Sequence, residues 1–117
     1  VLAKSARLTE SADFARATKS GLRFSTQNFV GYLYPTNLDQ PARAGLIISK
    51  NVGGSVTRHK IARKARHAFR EIYPQLPTGG LLVIRALNTA NDADAAEEVK
   101  KIVGQLLKKF AEKANQK

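Results

Sequence analysis

Cysteine is absent from these 117 residues, which excludes thiolate metal sites, thiol catalysis and disulfides and suits a reducing compartment. Histidine is scarce: His59 and His67 share one basic stretch, a poor start for a histidine-built metal centre. Acid is in short supply too. Nine Asp and Glu stand against 20 Lys and Arg, for a formal charge of +11, so a polyanion, nucleic acid first, is the expected partner. No apolar run approaches the roughly 18 to 20 residues of a spanning helix, so no membrane association is expected. The opening from Val1 to Arg7 is not followed by an apolar stretch, so no signal peptide is expected and the location should be cytoplasmic. Repeats and low-complexity linkers are also missing. The chain therefore reads as one nucleic-acid-binding domain over 1–117, large enough to bury a core unaided, with a frayed basic tail at 113–117.

What the chain has instead is concentrated positive charge. From Lys50 to Arg70 it carries seven Lys or Arg, two His and no acid. Wound as a helix at about 100° per residue, this run places Ile61, Ala65, Ala68, Phe69 and Ile72 on one stripe and His59, Arg63, Arg66, His67 and Arg70 opposite. The apolar stripe would anchor the helix to a core and hold the opposite cations in a rigid row. Without acids for i,i+4 pairing, such a row repels itself until an anion neutralises it, which sets it apart from an ordinary solvated helix.

The surroundings supply the rest of a fold. A first helix is predicted from Thr9, a capping hydroxyl followed by Glu10 and Asp13, through Phe14 and Ala17 to a stop at Gly21. Phe24 and then Asn28 to Tyr34 suggest strands, with Phe29, Gly31 and Leu33 on one face and Val30, Tyr32 and Tyr34 on the other. Residues 44–50 read as a buried strand. The basic helix should stop before Pro74, Gly79-Gly80 opens a strand over Leu81 to Ala86, and Asn91-Asp92 looks like the cap of a last helix. That helix repeats Val99, Ile102, Val103, Leu106, Leu107 and Phe110 at helical spacing, with Lys100, Lys101, Lys108 and Lys109 on the wet side. The expected order is α-β-β-β-α-β-α.

No catalytic set can be assembled from these residues. The histidines lie in a cationic field that discourages action as bases, and five of the nine acids, Asp92, Asp94, Glu97, Glu98 and Glu112, belong to the last helix. The loop Asn51-Val52-Gly53-Gly54-Ser55 precedes a helix but lacks the terminal Gly-Lys-Ser/Thr of a P-loop, so it reads as a tight strand-to-helix turn whose amides could hold one phosphate. A helix-turn-helix is disfavoured by the strands on either side. Aromatic residues at 14, 29, 32 and 34 are ordinary core candidates, but Phe14 and Tyr32 could stack on unpaired bases if the first helix leaves a cleft over the sheet.

The segment Ser49 to Arg70 resembles the signature of the bacterial ribonuclease P protein subunit family, roughly Lys-Lys-Val-Gly-Asn-Ala-Val-x-Arg-Asn-Arg-x-Lys-Arg-x-x-Arg. Arg7-Leu8 with Asp13-Phe14 resembles the family's opening, and Phe29-Val30-x-Tyr32 its second strand. His59 stands for the motif's Asn, Lys60 for its second Arg, Ala62 for its Lys and Gly54 for the loop Asn, while Thr18 occupies a position often aromatic in the family. The resemblance implies an α/β (α+β) two-layer sandwich, a mostly four-stranded sheet with three helices and a left-handed crossover between the strands at 45–50 and 80–86. Periodicity alone would predict the common right-handed one. It implies a subunit that binds the catalytic ribonuclease P RNA, one protein per RNA, and grips the 5′ leader of precursor tRNA while the RNA and Mg²⁺, an ion held mainly by that RNA, perform the hydrolysis. Arg58, His59, Lys60, Arg63, Lys64, Arg66 and Arg70 would then face the RNA subunit, and Phe14, Thr18, Tyr32, Lys50 and Asn51 the leader. The rivals are a ribosomal-type or other structural RNA-binding protein, and a basic nuclease with its own active site.

Overall fold

The computed structural model describes residues 11–35, 41–77, 79–87 and 95–115. Helix α1 (Ser11–Ser20) leads into strands β1 (Leu22–Ser25), β2 (Phe29–Tyr34) and β3 (Arg43–Ile47). A 3₁₀ turn at Lys50–Val52 precedes α2 (Ser55–Ile72), and a second at Tyr73–Gln75 precedes β4 (Leu81–Ala86) and α3 (Ala95–Asn115). Among the described residues, no helix is long and apolar enough to cross a membrane.

One mixed sheet of order β1-β2-β4-β3 organises these pieces. β2 runs antiparallel to both β1 and β4, and β3 lies parallel to β4 at the edge. A parallel pair needs a long crossover, and here it passes through α2. Period-two alternation sends the side chains of β2 to opposite faces. Phe29 and Leu33 join Leu82 and Ile84 beneath α2 and α3, where Ile61, Ala65, Phe69, Val99, Ile102 and Leu106 complete the main core. Each large aliphatic or aromatic side chain buried there contributes about 1.5 to 3 kcal/mol relative to exposure. Tyr32 and Tyr34 turn the other way, towards α1, and pack with Phe14, Ala17, Leu81, Val83 and Ile47. The sheet is thus covered by two helices on one face and only a short helix on the other.

Local chemistry explains the joints. Tyr73 and Pro74 end α2 in a 3₁₀ turn, since the ring of Pro74 cannot continue the α-helical ladder. The Tyr73 hydroxyl donates to the Ala42 carbonyl at 2.6 Å, tying the end of α2 to the entry of β3. Gly79, at φ 77°, supplies the left-handed conformation that turns the chain into β4. The strand at 44–50 is shorter than its apolar run suggested. It ends at Ile47, and as an edge strand hydrogen-bonded only to β4 it is partly exposed, not buried. Lys100, placed on the wet side by periodicity, is half-buried and ion-pairs with Glu71 of α2 at 2.6 Å. Helix α3 runs to Asn115, into the segment expected to fray. The cap at Asn91-Asp92 and the start at Thr9 lie outside the described residues.

Candidate nucleic-acid interface

Helix α2 presents the charged face that its period dictates. Ile61, Ala62, Ala65, Ala68, Phe69 and Ile72 are buried, which fixes the helix on the sheet and α3. His59, Lys60, Arg63, Arg66, His67 and Arg70 are exposed, and Lys64 is half-buried at the margin. Arg63, Lys64, Arg66, His67 and Arg70, with Ala96 of α3, line an open hollow of about 530 Å³. Guanidinium groups held this way make a concentrated positive surface suited to phosphate. Gly54 is the N-cap of this helix, which has no side-chain cap and no acid in its first turn, so its positive dipole end adds to the same field. Its single acid, Glu71, sits at the far end. There the Lys100 ammonium, by hydrogen bond and charge, holds the carboxyl below its ordinary range, with a smaller push from His67.

Arg58 is set apart from that row. At helical spacing it lies in line with the buried Ala62, Ala65 and Phe69, it is half-buried, and its Nε is enclosed without a hydrogen-bond partner. Leaving such a donor unsatisfied is costly, and the side chain has unspent hydrogen-bonding capacity. Lys50, first residue of that turn, is exposed. Asn51 is its second residue, with a side chain outside the described ones.

The leader candidates gather on the opposite side of the sheet. Phe14 and Tyr32 are both half-buried and pack in one cluster with Ala17, Leu81 and Val83, so α1 crosses the sheet and leaves part of each ring open. Thr18 is one turn beyond Phe14. Its hydroxyl donates to the Phe14 and Ala15 carbonyls at 3.0 and 3.1 Å, which occupies its donor within α1. The structure therefore brings Phe14 and Tyr32 together, keeps Thr18 one turn along α1 from Phe14, and puts Lys50 and Asn51 beyond the C-terminal end of β3.

Three features of this region are not evident in the sequence. Buried Asp13 of α1 pairs with Arg43 of β3 at 3.2 Å and lies 4.0 Å from Arg16, clamping the helix to the sheet edge. Glu71 and Lys100 clamp α2 to α3. Arg85, next to last in the apolar strand β4, is exposed to solvent. Pairings between elements are invisible to periodicity within one element. The lone Arg85 was a signal in principle, since a central strand seldom carries an exposed charge without purpose.

Comparison with known proteins agrees with this architecture. The family model described as Ribonuclease P matches residues 2–111. The chain is 40% identical over 99 residues to the ribonuclease P protein component of Streptomyces avermitilis, covering 78% of this chain and 80% of that protein. It is 37% identical over 114 residues to that of a Nocardioides species, covering 96% and 97%. Among solved structures it superposes on a Staphylococcus aureus RNase P protein mutant with defective mRNA degradation activity. That match has a TM-score of 0.74 at 27% identity, over 92% of this chain and 90% of that one. The RNase P protein from Thermotoga maritima in complex with 1-(4-fluorophenyl)-2-thiourea gives 0.70 at 25% identity, over 87% and 97%. A basic α2 signature, a sheet of order β1-β2-β4-β3 and matches of this extent lead to one conclusion: the chain belongs to the ribonuclease P protein family and is a ribonuclease P subunit.

Proposed function

We propose that the protein works on two sides. The exposed row of α2, from His59 to Arg70, docks on the catalytic RNA, and the cleft between α1 and the sheet receives the single-stranded 5′ leader of precursor tRNA. The observation that carries this reading is the placement of Phe14 and Tyr32 in one half-open cluster on the sheet face opposite α2. Half-open aromatic rings offer stacking surface to unpaired bases, whereas the acid-free row on α2 offers charge to phosphates. Two sides let one small protein touch two RNAs at once. One protein would serve each RNA subunit, in the cytoplasm where the precursor is made.

The chemistry assigned to the protein is neutralisation and positioning. In this reading Mg²⁺ belongs to the holoenzyme and is held mainly by the RNA. Holding the leader fixes the scissile phosphate relative to the RNA, and restricted geometry of this kind lowers a barrier without a protein acid or base. The test is reconstitution with a matched ribonuclease P RNA. Adding the protein should restore precursor-tRNA cleavage at low Mg²⁺, more so for substrates with leaders of several nucleotides than for one-nucleotide leaders. Equal gain for both would sink the leader assignment.

A further inference from the structure

We propose that His67 is a proton-linked RNA contact: phosphates entering the hollow beside α2 draw a proton onto its ring, so the basic row gains a cation as it docks. The inference rests on the RNA-docking reading above and adds a property that the fixed charges of the row cannot supply.

The surroundings of the ring pull in two directions. Arg63 and Lys64 stand four and three residues before His67 and Arg70 three after it, the spacings of helical neighbours, and with Arg66 they line the same hollow. These cations oppose a further positive charge. Glu71, four residues on, is the counterweight, with its Oε1 3.6 Å from His67 Nε2. That separation is short enough to favour a charged ring and too long for a hydrogen bond that would hold a neutral one.

Lys100 limits how much of the counterweight reaches the ring. From α3 its ammonium takes the other oxygen of Glu71, Oε2, at 2.6 Å. The carboxylate is therefore divided between two helices, and the shorter, stronger contact goes to Lys100. Held below its ordinary range by that hydrogen bond and charge, it stays ionised across the interval of about pH 5 to 8 in which imidazole titrates. Among the described residues no acid lines the hollow itself. In the first turn of α3, Glu98 is engaged by Thr26 and Asn28, and Glu97 is exposed next to Ala96 without lining the hollow.

A phosphate in the hollow changes this balance. It neutralises the guanidinium groups that oppose the imidazolium and brings negative charge of its own, and both effects favour the protonated ring. Linkage then fixes the sign. Because the docked state binds more protons than the free one, affinity rises as pH falls through the imidazole range and levels off above and below it. His59 is the internal comparison: it is exposed on the same helix, lies outside the hollow and has no carboxylate within ion-pair distance among the described residues.

The test is calorimetric binding of the matched ribonuclease P RNA at fixed salt, from about pH 6 to about pH 8, in buffers of different ionisation enthalpy. Wild type should bind about tenfold more tightly at the acid end, equivalent to an average uptake of about half a proton over about two pH units. His67→Gln should bind as wild type does at the alkaline end and gain no more than about threefold on acidification. His67→Arg, a fixed cation, should bind at the alkaline end as wild type does at the acid end. His59→Gln should keep most of the wild-type uptake. His67 is exposed, so these substitutions test binding and not folding. If His67→Gln retains the full pH dependence, or wild type takes up no proton, the role of His67 is overturned, and weakened binding by Arg63→Ala and Arg66→Ala would leave the docking face standing. If those two variants also bind as wild type does, the docking reading itself falls.

Discussion

Gly31 of β2 lies directly beneath Ile102 of α3, so close that a Cβ built on the glycine would press into the Ile102 Cγ2 and crowd Leu106 Cδ1 at 3.1 Å and Ile84 Cδ1 at 3.2 Å. The approach brings α3 down onto the sheet and so sets the height of the main core. Gly31→Ala should therefore destabilise the fold by about 1 to 3 kcal/mol through overpacking, even though alanine is the better strand former. Thermal or denaturant unfolding measures this. A variant as stable as the parent would mean that α3 can lift without cost.

The faces of β2 were legible from the sequence because alternation needs only neighbours in the chain. Phe29 and Leu33 went to one core, Tyr32 and Tyr34 to the other, as period two requires. The stripe on α2 was equally plain, since period and sign of charge change together around the helix. Partners across the fold were not. Gly31 gives no hint of Ile102, and Asp13 gives none of Arg43, because neither pair lies within one element. Arg85 was hidden differently: one charge inside Leu81 to Ala86 reads as a flaw in an apolar strand until register shows which row it joins. Arg58 was grouped with the exposed cations by its place in the motif, and only helix packing separates it from them.

Glu98 is a second contact of this kind. Its carboxylate accepts hydrogen bonds from the Thr26 hydroxyl at 2.7 Å, the Asn28 backbone amide at 3.1 Å and the Asn28 side-chain amide at 2.8 Å. An acid in the first turn of α3 thus satisfies the turn between β1 and β2 as well as favouring its own helix end. Glu98→Ala should cost about 1 to 3 kcal/mol, since the turn loses several charge-assisted bonds in a part-buried setting. Hydrogen exchange at the Asn28 amide should accelerate more than exchange in α2. Uniform acceleration throughout would indicate global destabilisation and not a local clasp.

For the basic row, Arg63→Ala and Arg66→Ala should each weaken binding to the RNA subunit and leave the fold intact, since both side chains are exposed. With roughly four to six phosphates engaged, the logarithm of affinity should fall with the logarithm of salt at a slope of about −3 to −5. Each substitution should flatten that slope by about one. Binding titrations across salt concentrations provide the check. Salt-independent affinity would argue against phosphate contacts by this face.

Tyr32 separates a leader-binding subunit from a structural RNA protein most sharply, because its ring is shared between core and cleft. It packs with Ala17, Leu81 and Val83 yet is only half-buried, so truncation removes both packing and stacking surface. A stacked base is worth about 1 to 3 kcal/mol by alanine substitution. Loss of a fully buried aromatic would instead cost about 3 to 5 kcal/mol of stability. Tyr32→Ala in the holoenzyme should weaken precursor tRNA carrying a leader of several nucleotides and leave mature tRNA and one-nucleotide-leader substrate nearly untouched. Tyr32→Phe should retain leader binding, because stacking needs the ring and not the hydroxyl. If instead every substrate is weakened alike, or the alanine variant melts far below the parent, Tyr32 is scaffold. The leader path would then lie along Lys50 to Arg58, where the uncapped start of α2 already supplies positive charge.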